Sequence, residues 1–458
     1  MNKLLLIYDD TELPTAIQKK IIGNVKYSQI LIRKQTLFSR LEDAVMGKCK
    51  IVNSGLNITK EYPDYSFIWI PSFSSIIDIE QFRILLDKLG YANNSMRICE
   101  KGKILFAFYR DNIDFDKQYS PIELDNYYFL DISNYKNFIR YLSEKPDTRY
   151  FNAIYGDDYQ FTKISRNKTK LKSEYTYARL LPDSMKKWII IPYNLRENEN
   201  SAEYDMERVN IPDISIRWIH NSVPLDEFQV FLDKLFYFIA TRESKNVSPA
   251  CYMEKMNELY LDKVADRVSA FKNTDSYKKI SEYITAGTKY NCIDDILEWY
   301  MSLYKKITKK HAFKPVSVIC HGDLFFGNMF YDYETNNLKF IDPKGAEKEE
   351  DLWTDPYYDV AKLSHSILGN YDFIVNDLFS VEIDRNLGFV LSVDNSNYKG
   401  HCDLFLNKAE KSGFDFHFIR LFEASLFLSM LPLHINNPRH ILAFILNAVQ
   451  ILNEVENA

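Results

Sequence analysis

Among the 14 glycines of this chain, Gly322 and Gly327 form the closest pair. That spacing removes several architectures at once. A dinucleotide-binding turn, G-x-G-x-x-G, needs two glycines with one residue between them so that the backbone can approach a pyrophosphate. A G-x-S-x-G nucleophile elbow needs three residues between them. Neither spacing occurs. Gly322 and Gly327 have the separation of a P-loop, but Asn328 and Met329 follow where lysine and a hydroxyl residue must stand.

Composition narrows the remainder. At roughly 100–200 residues per domain, 458 residues suggest several domains, and 46% hydrophobic with 26% charged residues describes a folded chain. The net charge of −6 gives no electrostatic case for nucleic acid as a partner. No stretch reaches the roughly 18 uncharged apolar residues of a membrane helix. The N-terminus meets Asp9 and Asp10 too early for the apolar region of an export signal and reads instead as a first strand. The six cysteines form no C-x-x-C pair or Cys/His cluster and read as free thiols. A cytoplasmic protein is expected.

Residues 1–145 read as an α/β domain. Runs at Leu4–Tyr8, Ile30–Ile32, Cys49–Val52, Phe67–Ile70 and Ile104–Tyr109 have strand character, and Pro14–Ile22 and Ile79–Leu89 repeat apolar residues at helical spacing. Tyr127–Ser143 supplies a last strand and helix. Lys145-Pro146-Asp147 marks a boundary, because proline disfavours helix in the residue before it. Residues 148–215 read as short strands around one helix. Residues 216–458 are dominated by amphipathic helices at 224–242, 253–272, 293–310, 417–433 and 438–455, interrupted by a strand–turn–strand block between Val316 and Ile341.

That block carries the chemistry. Val316-Ser-Val-Ile-Cys forms a strand ending at His321-Gly322-Asp323, and Asn328 follows close enough for one tight loop to turn both polar side chains into a cleft. Residues 329–333 and 338–342 pair across Glu334-Thr-Asn-Asn337, which returns Asp342 to the same place. Phosphoryl transfer from ATP needs such a set: one carboxylate to orient the attacking hydroxyl, and a second carboxylate with an amide oxygen to hold Mg²⁺. Asp323 suits the first role, Asn328 and Asp342 the second.

The order His321-Gly-Asp-Leu-x-x-Gly-Asn328, Ile341-Asp342, then Asp355-Pro-x-x-Asp359-x-Ala-Lys-Leu resembles the aminoglycoside phosphotransferase and choline kinase superfamily. Its wording is most similar to phosphotransferase-like proteins of bacterial capsule and surface-polysaccharide synthesis. The resemblance implies an α+β, protein-kinase-like bilobal fold, with a small β-rich N-lobe at 148–215 and a large helical C-lobe at 216–458, behind a separate N-terminal α/β domain. It implies that Lys163 reaches the ATP α/β-phosphates and pairs with Glu174, with Lys168, Lys170 and Lys172 as substitutes. Tyr204-Asp-Met206-Glu-Arg208-Val resembles the hinge strand whose backbone binds adenine. Asp359 and His321 are expected to brace the catalytic loop, Asp355 to do the same or touch substrate, and His365 to be structural. Lys344 is either a cation for substrate or phosphate, or a surface lysine. The glycine-rich loop over the phosphates is missing, and only Gly156, beside Asp157 and Asp158, is available for that turn.

The expected activity is ATP- and Mg²⁺-dependent phosphorylation of a small-molecule hydroxyl: a sugar, an amino alcohol or a polysaccharide precursor. The acidic stretch Glu347–Asp351 is either a solvated loop or an attractor for a cationic acceptor. The alternative is a pseudokinase-like scaffold that recruits biosynthetic partners, which leaves two Mg²⁺ ligands without a use. A homo-oligomer stays open. For the first domain, a dehalogenase-type phosphatase needs aspartate where Thr11 stands, and a receiver domain needs aspartate where Ile70-Pro-Ser-Phe stands. Its strand order resembles a nucleotidyltransferase-like domain without the glycine-rich nucleotide loop, so a degenerate domain for recognition or assembly is expected.

Overall fold

A computed structural model describes residues 2–32, 34–53, 58–110, 128–143, 152–156, 159–311 and 313–458. The chain divides into two compact units: Met1–Pro146 with His220–Ser222, and Asp147–Ile219 with Val223–Ala458. The boundary tripeptide Lys145-Pro146-Asp147 and Tyr127 lie outside the described residues.

The first unit is built on a five-stranded sheet in the order Lys50–Asn53, Lys3–Asp9, Tyr65–Pro71, Lys103–Tyr109, Met96–Glu100. The first three strands are parallel and the last two join antiparallel. Leu4–Tyr8 is buried throughout, which is why it reads as an unbroken apolar run rather than an alternating one. Thr15 and Gln18 cap helix Ala16–Ile22 reciprocally, and Asp78 caps Ile79–Leu89. Two strand expectations change. The run at Ile30–Ile32 yields only Leu31–Ile32, paired with Gln35–Thr36 outside the main sheet. Phe129–Asp131 pairs with Ser74–Ile76, again outside it.

The second unit opens with a four-stranded antiparallel sheet, ordered Asn152–Gly156, Gln160–Ser165, Ala202–Glu207, Tyr193–Glu197, with helix Lys168–Leu180 beside it. A larger helical lobe follows, and the strand–loop–hairpin block between Val316 and Ile341 lies within it. This is an α+β arrangement of a small β-rich lobe and a larger helical one, as expected from the sequence. The helix expected at 253–272 starts earlier and is broken: Ser248 caps Pro249–Asn257, and a π-turn at Glu258–Asp262 leads into Lys263–Lys272. Serine followed by proline at the first helical position is an ordinary helix start.

Aromatic rings fill this lobe, as the 15% aromatic content requires. Tyr260 stacks on Phe422 at 3.8 Å between centroids, and Trp218 packs against Phe228, Phe326 and Tyr398. Among the described residues one segment, Phe416–Leu433, is long and apolar enough to cross a membrane, but 78% of it is buried, as in a core helix. It also carries the buried pair Arg420–Glu423.

Candidate active site

The strand Val316–Ile319 ends at the loop that carries Asp323, and a 3₁₀ turn at Phe326–Asn328 leads into the hairpin Met329–Asp332 with Asn337–Phe340. The Ile341 amide donates to the Asn328 carbonyl at 3.1 Å, which closes the hairpin on the loop and delivers Asp342. Asp342 sits at φ 56°, a left-handed conformation uncommon for a residue with a side chain. Gly322 is required where it stands: its φ is 80°, and a Cβ there would come within 2.6–2.7 Å of the Lys344 side chain.

Asp359, fully buried at the start of helix Tyr357–Ile367, holds the loop from behind. It accepts the amides of Gly322 at 2.8 Å and His321 at 3.1 Å, and pairs with Arg242 at 2.9 Å. Asp355 is equally buried and accepts the hydroxyls of Tyr252 and Tyr260 at 2.7 and 2.6 Å. Burial raises its pKa, and the two phenols work against that rise. Asp359 therefore supports the loop from inside the protein, while the Asp355 carboxylate is spent on the two phenols. His321 accepts the Asp323 amide on Nδ1 at 3.3 Å, and burial pushes its pKa down, so the ring is neutral.

Asp323 itself faces outward, with its side chain 38% exposed. Asn328 Nδ2 donates to the Asp323 carbonyl at 2.9 Å and to its carboxylate at 3.2 Å. Lys362 meets the other carboxylate oxygen at 2.9 Å. Burial alone would raise the Asp323 pKa, but the Lys362 ammonium outweighs it and holds the group below the ordinary carboxylate value. Lys362 was not singled out in the sequence. Its signal was its place three residues after Asp359, one turn along the same helix.

Lys163 meets Glu174 at 2.7 Å and Asp342 at 3.0 Å, and Tyr204 donates to Glu174 at 3.1 Å. Lys163 and Glu174 are both buried. Burial works to lower the lysine's pKa, but Asp342, Tyr204 and Glu174 together carry it well above the ordinary value. Of the other lysines, Lys168 and Lys172 pair with Glu197, while Lys170 approaches Glu174 at 3.5 Å from an exposed position. Met206 lines a pocket with Ile190, Tyr204, Ile341 and Asp342. Arg208 lies with its guanidinium over Phe161 at 4.6 Å, and its amide donates to the Tyr159 carbonyl. That amide is spent on the neighbouring strand rather than presented to a base.

Lys344 is half-buried, its side chain laid against Gly322, and burial pushes its pKa down. Asp351 spends its carboxylate on the amides of Glu347 and Lys348, which folds the acidic stretch on itself. Gly156 ends a strand, and Asp157 and Asp158 lie outside the described residues. Among the described residues no cluster of three or more His, Cys, Asp or Glu side chains is placed to hold a metal. Asn328 and Asp342 are the candidate pair. Asn328 fits, because its amide nitrogen is occupied by Asp323 while its side-chain oxygen takes no donor among the described residues.

Residues 234–344 match the Ecdysteroid kinase-like family, and this stretch includes His321, Asp323, Asn328 and Asp342. This segment is similar in sequence to that kinase-like family. This agrees with the resemblance to the aminoglycoside phosphotransferase and choline kinase-like superfamily. An aminoglycoside phosphotransferase of Streptomyces rimosus, solved with ADP and streptomycin, is similar at 14% identity and TM-score 0.37, over 61% of this chain and 88% of that one. A putative fructosamine-3-kinase of Haemophilus somnus is similar at 12% identity and TM-score 0.39, over 68% of this chain and 90% of that one. No curated protein sequence matches.

Proposed function

We propose that this chain transfers the γ-phosphoryl group of ATP to a hydroxyl of a small molecule: a sugar, an amino alcohol or a surface-polysaccharide precursor. The observation that carries the reading is the convergence of Lys163, Glu174 and Asp342 in one ion-paired cluster, with Asn328 bonded to the exposed carboxylate of Asp323.

In this reading Asp323 accepts the hydrogen bond of the acceptor hydroxyl and orients its oxygen toward the γ-phosphorus. The new O–P bond forms as the bond from that phosphorus to the β–γ bridging oxygen breaks. The hydroxyl proton passes to the Asp323 carboxylate and then to solvent, and ADP leaves with the bridging oxygen. Asn328 and Asp342 would hold Mg²⁺, which neutralises charge on the phosphates when bound. Lys163, kept in place by Glu174, steadies the α/β-phosphates. Most of the acceleration would come from positioning and electrostatics.

The test is ADP release from Mg-ATP across a panel of hydroxyl compounds, with Asp323→Asn beside wild type. Acceptor-dependent release is expected, with kcat lower in the variant by about 10²–10⁴. Tight Mg-ATP binding without turnover on any acceptor would favour the scaffold instead, and no Mg-ATP binding would end the kinase reading.

A further inference from the structure

The first unit has a site that the phosphotransfer reading does not use. From strand Lys3–Asp9 the main sheet continues to a neighbour on one side, Lys50–Asn53, and then to Tyr65–Pro71 on the other. The gap between the carboxyl ends of Lys3–Asp9 and Tyr65–Pro71 is therefore a topological switch point, the place where open parallel sheets leave a crevice for ligands. A cavity lies there. Tyr8 and Ile70 line it from the strand ends, Ser72, Ser74 and Ser75 from the chain that follows, and Arg40 from helix Leu37–Val45.

Among the described residues three polar groups lining that cavity are unspent. Ser72 and Ser74 are 1% and 5% exposed, and neither hydroxyl has a hydrogen-bond partner. Arg40 Nη1 is likewise buried without an acceptor. The guanidinium meets the Tyr141 ring at 5.7 Å but no carboxylate among the described residues. Asp10 does not line the cavity; its Oδ2 accepts the Ser28 hydroxyl at 2.6 Å and meets Lys26 at 3.7 Å, while its Oδ1 is buried without a partner. Buried polar groups in folded proteins are nearly always satisfied. An ordered water would satisfy the serines and leave the arginine's charge uncompensated. A planar or tetrahedral oxyanion satisfies both, since guanidinium and hydroxyl donors are the ordinary partners of carboxylate and phosphate.

We propose that the first unit binds the oxyanion of a small ligand, a phosphate or carboxylate group, between Arg40 and the hydroxyls of Ser72, Ser74 and Ser75. This site stands independently of the phosphotransfer site.

Calorimetric titration of the full chain with inorganic phosphate, a sugar phosphate and the corresponding sugar acid tests this. At least one of the three is expected to bind wild type and to lose about tenfold or more in affinity in Arg40→Met. A sugar phosphate that binds where the sugar acid does not identifies phosphate as the group, and the converse identifies carboxylate. The double variant Ser72→Ala, Ser74→Ala removes the orphan hydroxyls without removing a native bond. It carries the same expectation should Arg40→Met fold poorly. No binding, or equal binding to wild type and both variants, would overturn the proposal and leave a water-filled cavity.

Discussion

Lys163 and Asp372 show two ways of burying a charge. Lys163 has two carboxylates within 3.0 Å and keeps its proton. Asp372, 1% exposed in the short helix Tyr371–Val375, has neither carboxylate oxygen hydrogen-bonded, although the hydroxyls of Ser215 and Ser366 stand beside it. Burial pushes its pKa up to about 6 from an ordinary 3.8. The sign follows from linkage. Below the ordinary value both folded and unfolded chains hold the proton and nothing is lost. As pH rises toward about 6 the unfolded chain ionises first, so folding is penalised, and above that the full penalty stands. Two pH units correspond to ~3 kcal/mol as an upper bound. Asp372→Asn is therefore expected to melt higher than wild type at neutral pH, with the gap closing toward pH ~4. Melting curves at both pH values check this, and a gap independent of pH would contradict it.

At the scale of elements, the loop that carries Asp323 is held by helix Tyr357–Ile367 and by the end of helix Leu225–Thr241. Arg242 follows that second helix and pairs with Asp359, which in turn holds the amides of His321 and Gly322. Removing one partner of a buried pair strands the other charge, at a cost of about 3–5 kcal/mol. Arg242→Met should lower stability in urea by that order. It should also reduce kcat for ADP release with little change in KM for ATP, because the loop shifts while the Lys163 pocket stays intact. A loss of stability with unchanged kcat would show that the pair supports the fold alone.

How far the sequence could reach is visible here too. His321, Asp323, Asn328 and Asp342 were legible because a strand, a tight turn and a hairpin bring them together within a short stretch of chain. Asp359 was legible as a brace, but Arg242 was not, since nothing local says which of many arginines reaches it. The phenols of Tyr252 and Tyr260 come to Asp355 from 103 and 95 residues away, and no periodicity records that distance. The π-turn at Glu258–Asp262 was hidden for a different reason: it preserves the apolar pattern on both sides, so 253–272 reads as one continuous helix. In the first unit, Met96–Glu100 is only partly buried apart from Ile98, which leaves it without the apolar run that marked its neighbours.

For the molecule as a whole, the net charge of −6 says little about the field its acceptor would meet. Around Asp323 the balance is reversed. Lys263 donates to the Tyr358 hydroxyl at 2.7 Å, and Lys362 pairs with Asp323 itself. Burial would raise the Tyr358 phenol's pKa, yet Lys263 and Lys362 carry it below the ordinary value. Among the described residues neither Lys263, on the Tyr358 hydroxyl, nor Lys344, against Gly322, meets a carboxylate, so two lysines near the loop are left without an acidic partner. Lys163 already serves the nucleotide side in the proposed mechanism, which leaves this pair for the acceptor. The acidic stretch Glu347–Asp351 has Asp351 committed to its own backbone rather than to a cationic acceptor. Among acceptors of one carbon skeleton, the anionic member should therefore be used most efficiently, ahead of neutral and cationic members. Lys263→Met should raise KM for that acceptor several-fold while leaving KM for ATP unchanged, and added salt should shrink the difference, because exposed charges are screened over about 10 Å at 0.1 M. Steady-state kinetics on a neutral sugar, its uronic acid and its amino sugar would decide it: preference for the amino sugar would mean that the lysines face away from the acceptor.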